Sequence, residues 1–250
     1  MSVNYQNYLK VCHDAATDES VFKTFKSNPS YNVVLEHVSL LQGRGYLLEI
    51  SKELPRLLSH VKKFATNDHI GSPRTYHMKE IGIDMSPTTL RYIKVLADLI
   101  NIFGVIDNMR VVEIGVGYGG QCKIISDITE LTSYTLVDLP EVLSLATKYL
   151  GVFGVKNVIA KNPEDDMDDE YDLCISNYAF TEIDRHYQDI YAEKIIKHST
   201  QGYITCNFFG QRGGDGAMSK DEIYALRPNG KFIPEKPLTA PNNIIYTWKL

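Results

Sequence analysis

The stretch Val111-Val112-Glu113-Ile114-Gly115-Val116-Gly117-Tyr118-Gly119-Gly120 decides how this chain is read. An apolar, β-branched run enters a glycine-rich turn, and Cys122, Ile124, Ile125 and Ile128 follow at helical spacing. The pattern predicts strand, tight turn, helix. Glycines allow positive φ and close approach of a ligand to the backbone. The N–H groups that open the helix point to the same place. A nucleotide-like ligand is the usual reason for such a turn. The spacing Gly115-x-Gly117-x-x-Gly120 also satisfies the dinucleotide pattern GxGxxG, which does not by itself choose the nucleotide.

Working outward, Tyr134-Thr135-Leu136-Val137-Asp138 reads as a second strand ending in an acid. A carboxylate there can accept hydrogen bonds from both hydroxyls of a cofactor ribose, in NAD and S-adenosylmethionine (SAM) enzymes alike. Residues 157–160, 171–177 and 202–207 read as further strands, and the chain closes on a β-rich run, 242–249. Strands alternating with helices predict a parallel sheet with its ligand at the strand C-terminal ends. No segment after Asn207 is long enough for the separate substrate domain of an NAD enzyme, and no Tyr-x-x-x-Lys pair follows the fold.

Three motifs carry a resemblance. Glu113-Ile-Gly-Val-Gly-Tyr-Gly-Gly, Tyr134-Thr-Leu-Val-Asp-Leu-Pro-Glu-Val and Ile175-Ser-Asn-Tyr-Ala-Phe-Thr-Glu182 resemble class I SAM-dependent methyltransferases, and within them a family of sugar O-methyltransferases. Asn67-Asp-His-Ile-Gly-Ser-Pro73 and Ser86-Pro-Thr-Thr-Leu-Arg-Tyr-Ile93 are similar to that family's leader, so the likeness spans roughly residues 66 to 210. Val116 departs from the pattern, which more often has a small residue there. The resemblance implies a Rossmann-like class I SAM methyltransferase sheet, parallel with a C-terminal antiparallel hairpin, behind an N-terminal helical cap. It implies SAM as cofactor, S-adenosylhomocysteine as product, and a sugar, nucleotide-sugar or glycan as acceptor.

It also implies residue roles. Gly115, Gly117, Tyr118 and Gly119 form the cofactor turn, and Glu113 orients it and contacts the methionine end. Asp138, with Leu139, takes the ribose; Asp138 can equally cap the next helix, which Leu139-Pro140 suits. Asn162 is either an adenine contact or a turn residue. Asn177 ends the fourth strand, at the edge where methyl transfer occurs in this fold. Glu182, at an expected helix start, leads the candidates for general base, ahead of His69 and Asp68. Substrate contacts are expected from Asn67, Arg91, Tyr178, Asn207 and Arg212. Arg91 reads either as a partner for a carboxylate or phosphate or as a surface cation. His186, four residues after Glu182, shares a helix face with it and reads as a surface histidine.

At 250 residues, with 44% apolar content, the chain suits one domain, or one domain with an extension. Residues 1–87 read as a helical cap and substrate-loop region, and 88–250 as the SAM-binding core. In the leader, Val38, Leu41, Leu47, Leu48, Ile50, Leu54, Leu57, Leu58 and Val61 recur at helical spacing, and 66–87 is loop-like. This leader is either a cap that excludes water or a packing and homodimer face. Ser86 reads as N-cap and Pro87 as first residue of the next helix. A net charge of −5 offers no basic field for nucleic acid. Four scattered cysteines (Cys12, Cys122, Cys174, Cys206), a leader without a signal-peptide core and no membrane-length apolar run imply a cytoplasmic protein with reduced thiols. No metal-ligand spacing occurs, and the acidic run 165–170 reads as a solvated loop. Alternatives are a small-molecule O-methyltransferase with a non-sugar acceptor, an NAD-type oxidoreductase, and a non-catalytic SAM-binding scaffold.

Overall fold

A computed structural model describes residues 3–167, 170–208 and 216–250. The chain divides into two compact units whose segments alternate along the sequence. The first holds residues 1–104, 117–129 and 140–155; the second holds 105–116, 130–139 and 156–250.

The first unit is helical. Helices α1 (Val3–Thr17), α2 (Glu19–Phe22), α3 (Pro29–Asn32), α4 (Leu40–Glu53) and α5 (Val61–Phe64) lead to a small antiparallel pair, β1 (Tyr76–Met78) and β2 (Ile83–Met85). Then come α6 (Pro87–Phe103), α7 (Gly120–Ser126) and α8 (Pro140–Val152). Ser39 opens α4 with a capping box to Gln42, and Leu47 and Ile50 turn inward. Leu41 and Leu48 of the same helix stay exposed, so the leader's apolar spacing fills two faces and not one. As expected, Ser86 caps α6 by accepting from Thr89 N, and Pro87 takes the first helical position. Leu90, Ile93, Leu96 and Ala97 form its buried stripe. The β1–β2 hairpin corrects the expectation of an unbroken loop over 66–87; three-residue strands are too short to show an alternation.

The second unit is a seven-stranded sheet built from β3 (Arg110–Ile114), β4 (Ser133–Val137), β5 (Val158–Lys161), β6 (Tyr171–Asn177), β7 (Ser199–Asn207), β8 (Lys231–Pro234) and β9 (Asn243–Lys249), with α9 (Ala179–Glu182), α10 (Arg185–Lys194) and α11 (Lys220–Leu226). The strand order is β5-β4-β3-β6-β7-β9-β8. The first five strands run parallel, and β9 is antiparallel to both β7 and β8. This is a Rossmann-like, mostly parallel sheet closed by an antiparallel hairpin. The order reverses between β3 and β6, where an open α/β sheet splays its strand ends apart. Val112, Ile114, Cys174, Ile204, Tyr246 and Trp248 pack in one apolar core with Phe180, Tyr191, Ile195 and Ile223. All four cysteines are buried, and none forms a disulfide among the described residues. No helix among the described residues is long and apolar enough to cross a membrane.

Candidate functional site

In the second unit the polar residues gather at the C-terminal ends of the parallel strands. Leaving β3, the chain must turn sharply. Gly115 adopts φ 78°, and a Cβ built on it would lie 2.1 Å from Ala179 Cβ. No other residue fits there. Gly115 N donates to Val137 O, continuing the β3–β4 ladder into the turn. Asp138, one residue beyond β4, then ties the turn down. Its Oδ2 accepts from Val116 N at 2.9 Å and its Oδ1 from Leu139 N at 2.8 Å. Asp138 stays half-buried at the strand end.

Glu113 faces inward. It is buried, and Tyr134 Oη donates to its Oε2 at 2.7 Å. Burial pushes its carboxyl up to about 8; the Tyr134 bond opposes this and the Asp138 charge adds to it. The side chain lies in the sheet interior, held by Tyr134.

Asn162 and Asn177 follow β5 and end β6. Asn162 N donates to Asp165 Oδ2 at 2.7 Å, but its own side-chain Oδ1 is shut from solvent with no partner. Asn177 has both Oδ1 and Nδ2 shut away and unpartnered. Buried amides are normally satisfied, and these atoms are not. Tyr178, next in the chain, has φ 68°, an uncommon conformation for a bulky residue. Its Oη donates to Glu235 and lies 3.3 Å from Thr239 Oγ1. The expected substrate contact is thus corrected for the phenol, which is anchored on protein.

Glu182 ends α9 and does not begin a helix, because Ile183 is extended and α10 starts at Arg185. The dipole argument for Glu182 and the shared face with His186 are both corrected. Glu182 is exposed and accepts from Asn207 Nδ2 at 2.9 Å, while Asn207 N donates to Thr181 Oγ1 at 3.0 Å. Glu182 and Asn207 therefore meet at the ends of β6 and β7. Arg212 lies outside the described residues, as do Asp168 and Asp169 of the acidic run.

The first unit holds the remaining candidates. Gly117 and Gly119 have φ 54° and 83°. Tyr118 turns inward: its ring stacks under Lys26 Nζ at 3.9 Å, and its Oη accepts from Asn67 Nδ2 at 2.9 Å. Asn67 is fully buried. Its amide also donates to Thr89 Oγ1 at 2.7 Å, its Oδ1 accepts from Tyr149 Oη at 2.7 Å, and its carbonyl accepts from Lys26 Nζ at 2.7 Å. Every donor of that amide is engaged, which corrects the expectation that it binds substrate. Asp68 accepts from Ser86 N (2.6 Å), Ser86 Oγ (2.8 Å) and Thr89 Oγ1 (2.7 Å). It braces the N-terminus of α6, which corrects its reading as a base. His69 is exposed. Arg91 is buried near Glu36 and not a surface cation. Burial lowers the Lys26 ammonium to about 8, against the pull of Glu36 and Asp68. Among the described residues no cluster of His, Cys, Asp and Glu could hold a metal ion.

Glu36 is the residue that sequence reasoning passed over. It sits in Val33-Val34-Leu35-Glu36-His37-Val38, where an acid among apolar residues is the only signal.

No family model matches this chain. No curated protein matches it either. Solved structures do. Magnesium protoporphyrin IX methyltransferase from Synechocystis PCC 6803, with S-adenosylhomocysteine bound, is 12% identical, with a TM-score of 0.48 over 64% of this chain and 82% of that one. A SAM-dependent methyltransferase from Aquifex aeolicus is 17% identical, with a TM-score of 0.44 over 62% of this chain and 87% of that one. A Thermoplasma acidophilum protein is 16% identical, with a TM-score of 0.44 over 64% and 89%.

Proposed function

We propose that the chain is a SAM-dependent O-methyltransferase whose acceptor is a hydroxyl of a sugar, nucleotide-sugar or glycan. One observation carries the cofactor reading: Asp138, one residue beyond β4, holds Val116 N with its carboxylate, beside a Gly115 that admits no side chain. That pairs a turn the ligand backbone can approach with an acid at ribose height on the neighbouring strand. The unpartnered amides fit the same group. Asn162 Oδ1 is an acceptor suited to an adenine amino group, and Asn177 offers one donor and one acceptor at the reacting edge. The sugar acceptor rests on the sequence resemblance alone.

When bound, SAM supplies an electrophilic methyl group on a sulfonium. In the reaction the S–CH3 bond breaks as the O–CH3 bond forms, S-adenosylhomocysteine leaves, and the hydroxyl proton passes to a base. The chain's part is to hold the acceptor oxygen in line and to take that proton. Glu182 is the base we assign, since its carboxylate is exposed at the strand ends and oriented by Asn207. His69, exposed in the first unit, is the second choice. The domain reading, residues 1–87 as cap and 88–250 as core, and homodimerisation through the leader belong to the same proposal.

Calorimetric titration with S-adenosylhomocysteine and, separately, NAD tests the cofactor reading. Saturable binding of the first alone is expected, and Asp138→Ala should weaken it at least tenfold. Binding of NAD alone would move the chain to the oxidoreductases. Turnover of nucleotide-sugars then tests the acceptor, and Glu182→Ala with unchanged turnover would remove the base assignment.

A further inference from the structure

The second unit holds a buried hydrogen-bond acceptor outside the cofactor turn. Asn243 opens β9 and is the register partner of Asn207 at the end of β7. Partners across an antiparallel pair present their side chains on one face, with Cβ atoms about 5 Å apart. Asn207 is the residue whose amide holds Glu182. Asn243 thus stands one strand over from the group that orients the assigned base. It is buried, and its Oδ1 is shut from solvent with no partner. The other end of the amide is fixed. Nδ2 donates to Glu235 Oε2 at 3.2 Å and to Thr239 Oγ1 at 2.9 Å. Glu235, just after β8, is held in turn by Thr239 N at 2.8 Å and by the Tyr178 phenol. A flipped amide would set its oxygen against the Glu235 carboxylate and lose the donor that carboxylate receives, so the unpartnered end is the oxygen. A buried carbonyl oxygen without a donor is costly, and a ligand that brings one recovers that cost.

We propose that Asn243 Oδ1 accepts from a second hydroxyl of the methyl acceptor, next to the hydroxyl that faces Glu182. This rests on the methyl-transfer reading above. The unpartnered atom is one neutral oxygen, and a hydroxyl brings one donor to it. An ammonium brings three donors, and a phosphate oxygen brings none and would meet the Glu235 carboxylate nearby. The roughly 5 Å between the Asn207 and Asn243 side-chain roots suits two hydroxyls on adjacent or next-but-one carbons. The acceptor class is therefore a polyol. An alcohol with a single hydroxyl leaves Asn243 unsatisfied, and a site built to bond a hydroxyl rejects the analogue that lacks it.

The experiment measures methyl transfer from SAM to UDP-glucose, UDP-galactose and GDP-mannose. It then uses each monodeoxy form of the fastest of these that keeps the methylated hydroxyl. In wild type one deoxy form is expected to lose at least tenfold in kcat/KM against its parent. In Asn243→Leu the parent should fall by the same factor and that deoxy form should be unchanged, with KM for SAM within twofold of wild type. Equal sensitivity to the missing hydroxyl in both proteins, or none in wild type, overturns the assignment. An ordered water that stays on Oδ1 in a crystal with the acceptor bound overturns it too. Wild type that binds S-adenosylhomocysteine and methylates none of the three sugars removes the sugar-acceptor reading and this proposal with it, so the two failures are distinguishable. Should thermal melting show Asn243→Leu unfolded, Thr239→Val takes its place. It removes one of the two groups that aim the amide, so the sensitivity to the missing hydroxyl should shrink at least threefold, and an unchanged sensitivity refutes the proposal.

Discussion

Glu113→Gln isolates the most unusual acid in the sheet. The folded carboxyl titrates at about 8, against 4.5 for an unperturbed group, with burial the largest cause. The sign follows from proton counting. Between about pH 4.5 and 8 the folded chain holds a proton that the unfolded chain has released, so wild-type stability falls as pH rises through that window and is flat outside it. Each displaced unit is worth about 1.4 kcal/mol, so from pH 5 to pH 7.5 the Glu113 contribution falls by about 3 kcal/mol. Glutamine has the same shape, accepts from Tyr134 Oη through its carbonyl and does not titrate. The difference in unfolding free energy, Gln variant minus wild type, should therefore grow by about 3 kcal/mol over this range. Urea denaturation at pH 5, 6, 7 and 7.5 reads it directly. With an m-value of roughly 2 to 3 kcal/mol per molar, the gap in midpoints should widen by about 1 M. Parallel pH profiles for the two proteins would show that folded Glu113 is ionised at pH 7, and the inward, neutral reading of its side chain would fail.

Other perturbations have worked signs. Gly115→Ala forces an L-residue into φ 78° and a methyl into Ala179, and should lower stability by about 3 kcal/mol or more; an unshifted melting temperature would mean the turn relaxes freely. Tyr178→Phe removes a donor from Glu235, a buried carboxylate that also accepts from Thr239 and Asn243, and should cost about 1 to 3 kcal/mol in urea denaturation. Lys26 has a folded value of about 8 against 10.5 unfolded, so the unfolded chain binds more protons between these limits and stability rises with pH across them. Wild type should gain about 2 kcal/mol on Lys26→Met between pH 8 and pH 10, and a constant difference would contradict the buried position of that ammonium.

The sheet was legible because buried parallel strands read as nearly continuous apolar runs. Residues 171–177 read as a strand on that ground and form β6, whereas 202–207 covers only the C-terminal part of β7. The edge strand β8, Lys231-Phe232-Ile233-Pro234, carries no clear apolar signal because an edge strand need not be apolar and tolerates proline. The residues at strand ends were legible for a related reason: topology alone carries Asp138, Asn177 and Asn207 to one edge. Their partners were not, since Tyr134 reaches Glu113 and Glu235 reaches Tyr178 only through the folded sheet. Asn67 and Asn177 make the difference concrete. Both were read as ligand contacts, both are asparagines next to a loop or strand end, and both amides are hidden from water. Asn67 is saturated by Thr89, Tyr118 and Tyr149, while Asn177 has no partner for either atom. A saturated buried amide specifies the fold, and an unsaturated one is stable only if something else completes it. Residue type and spacing cannot separate these cases. By that criterion the proposed ligand contacts at Asn162 and Asn177 stay open to a partner, whereas Asn67 is already part of the frame of its own unit.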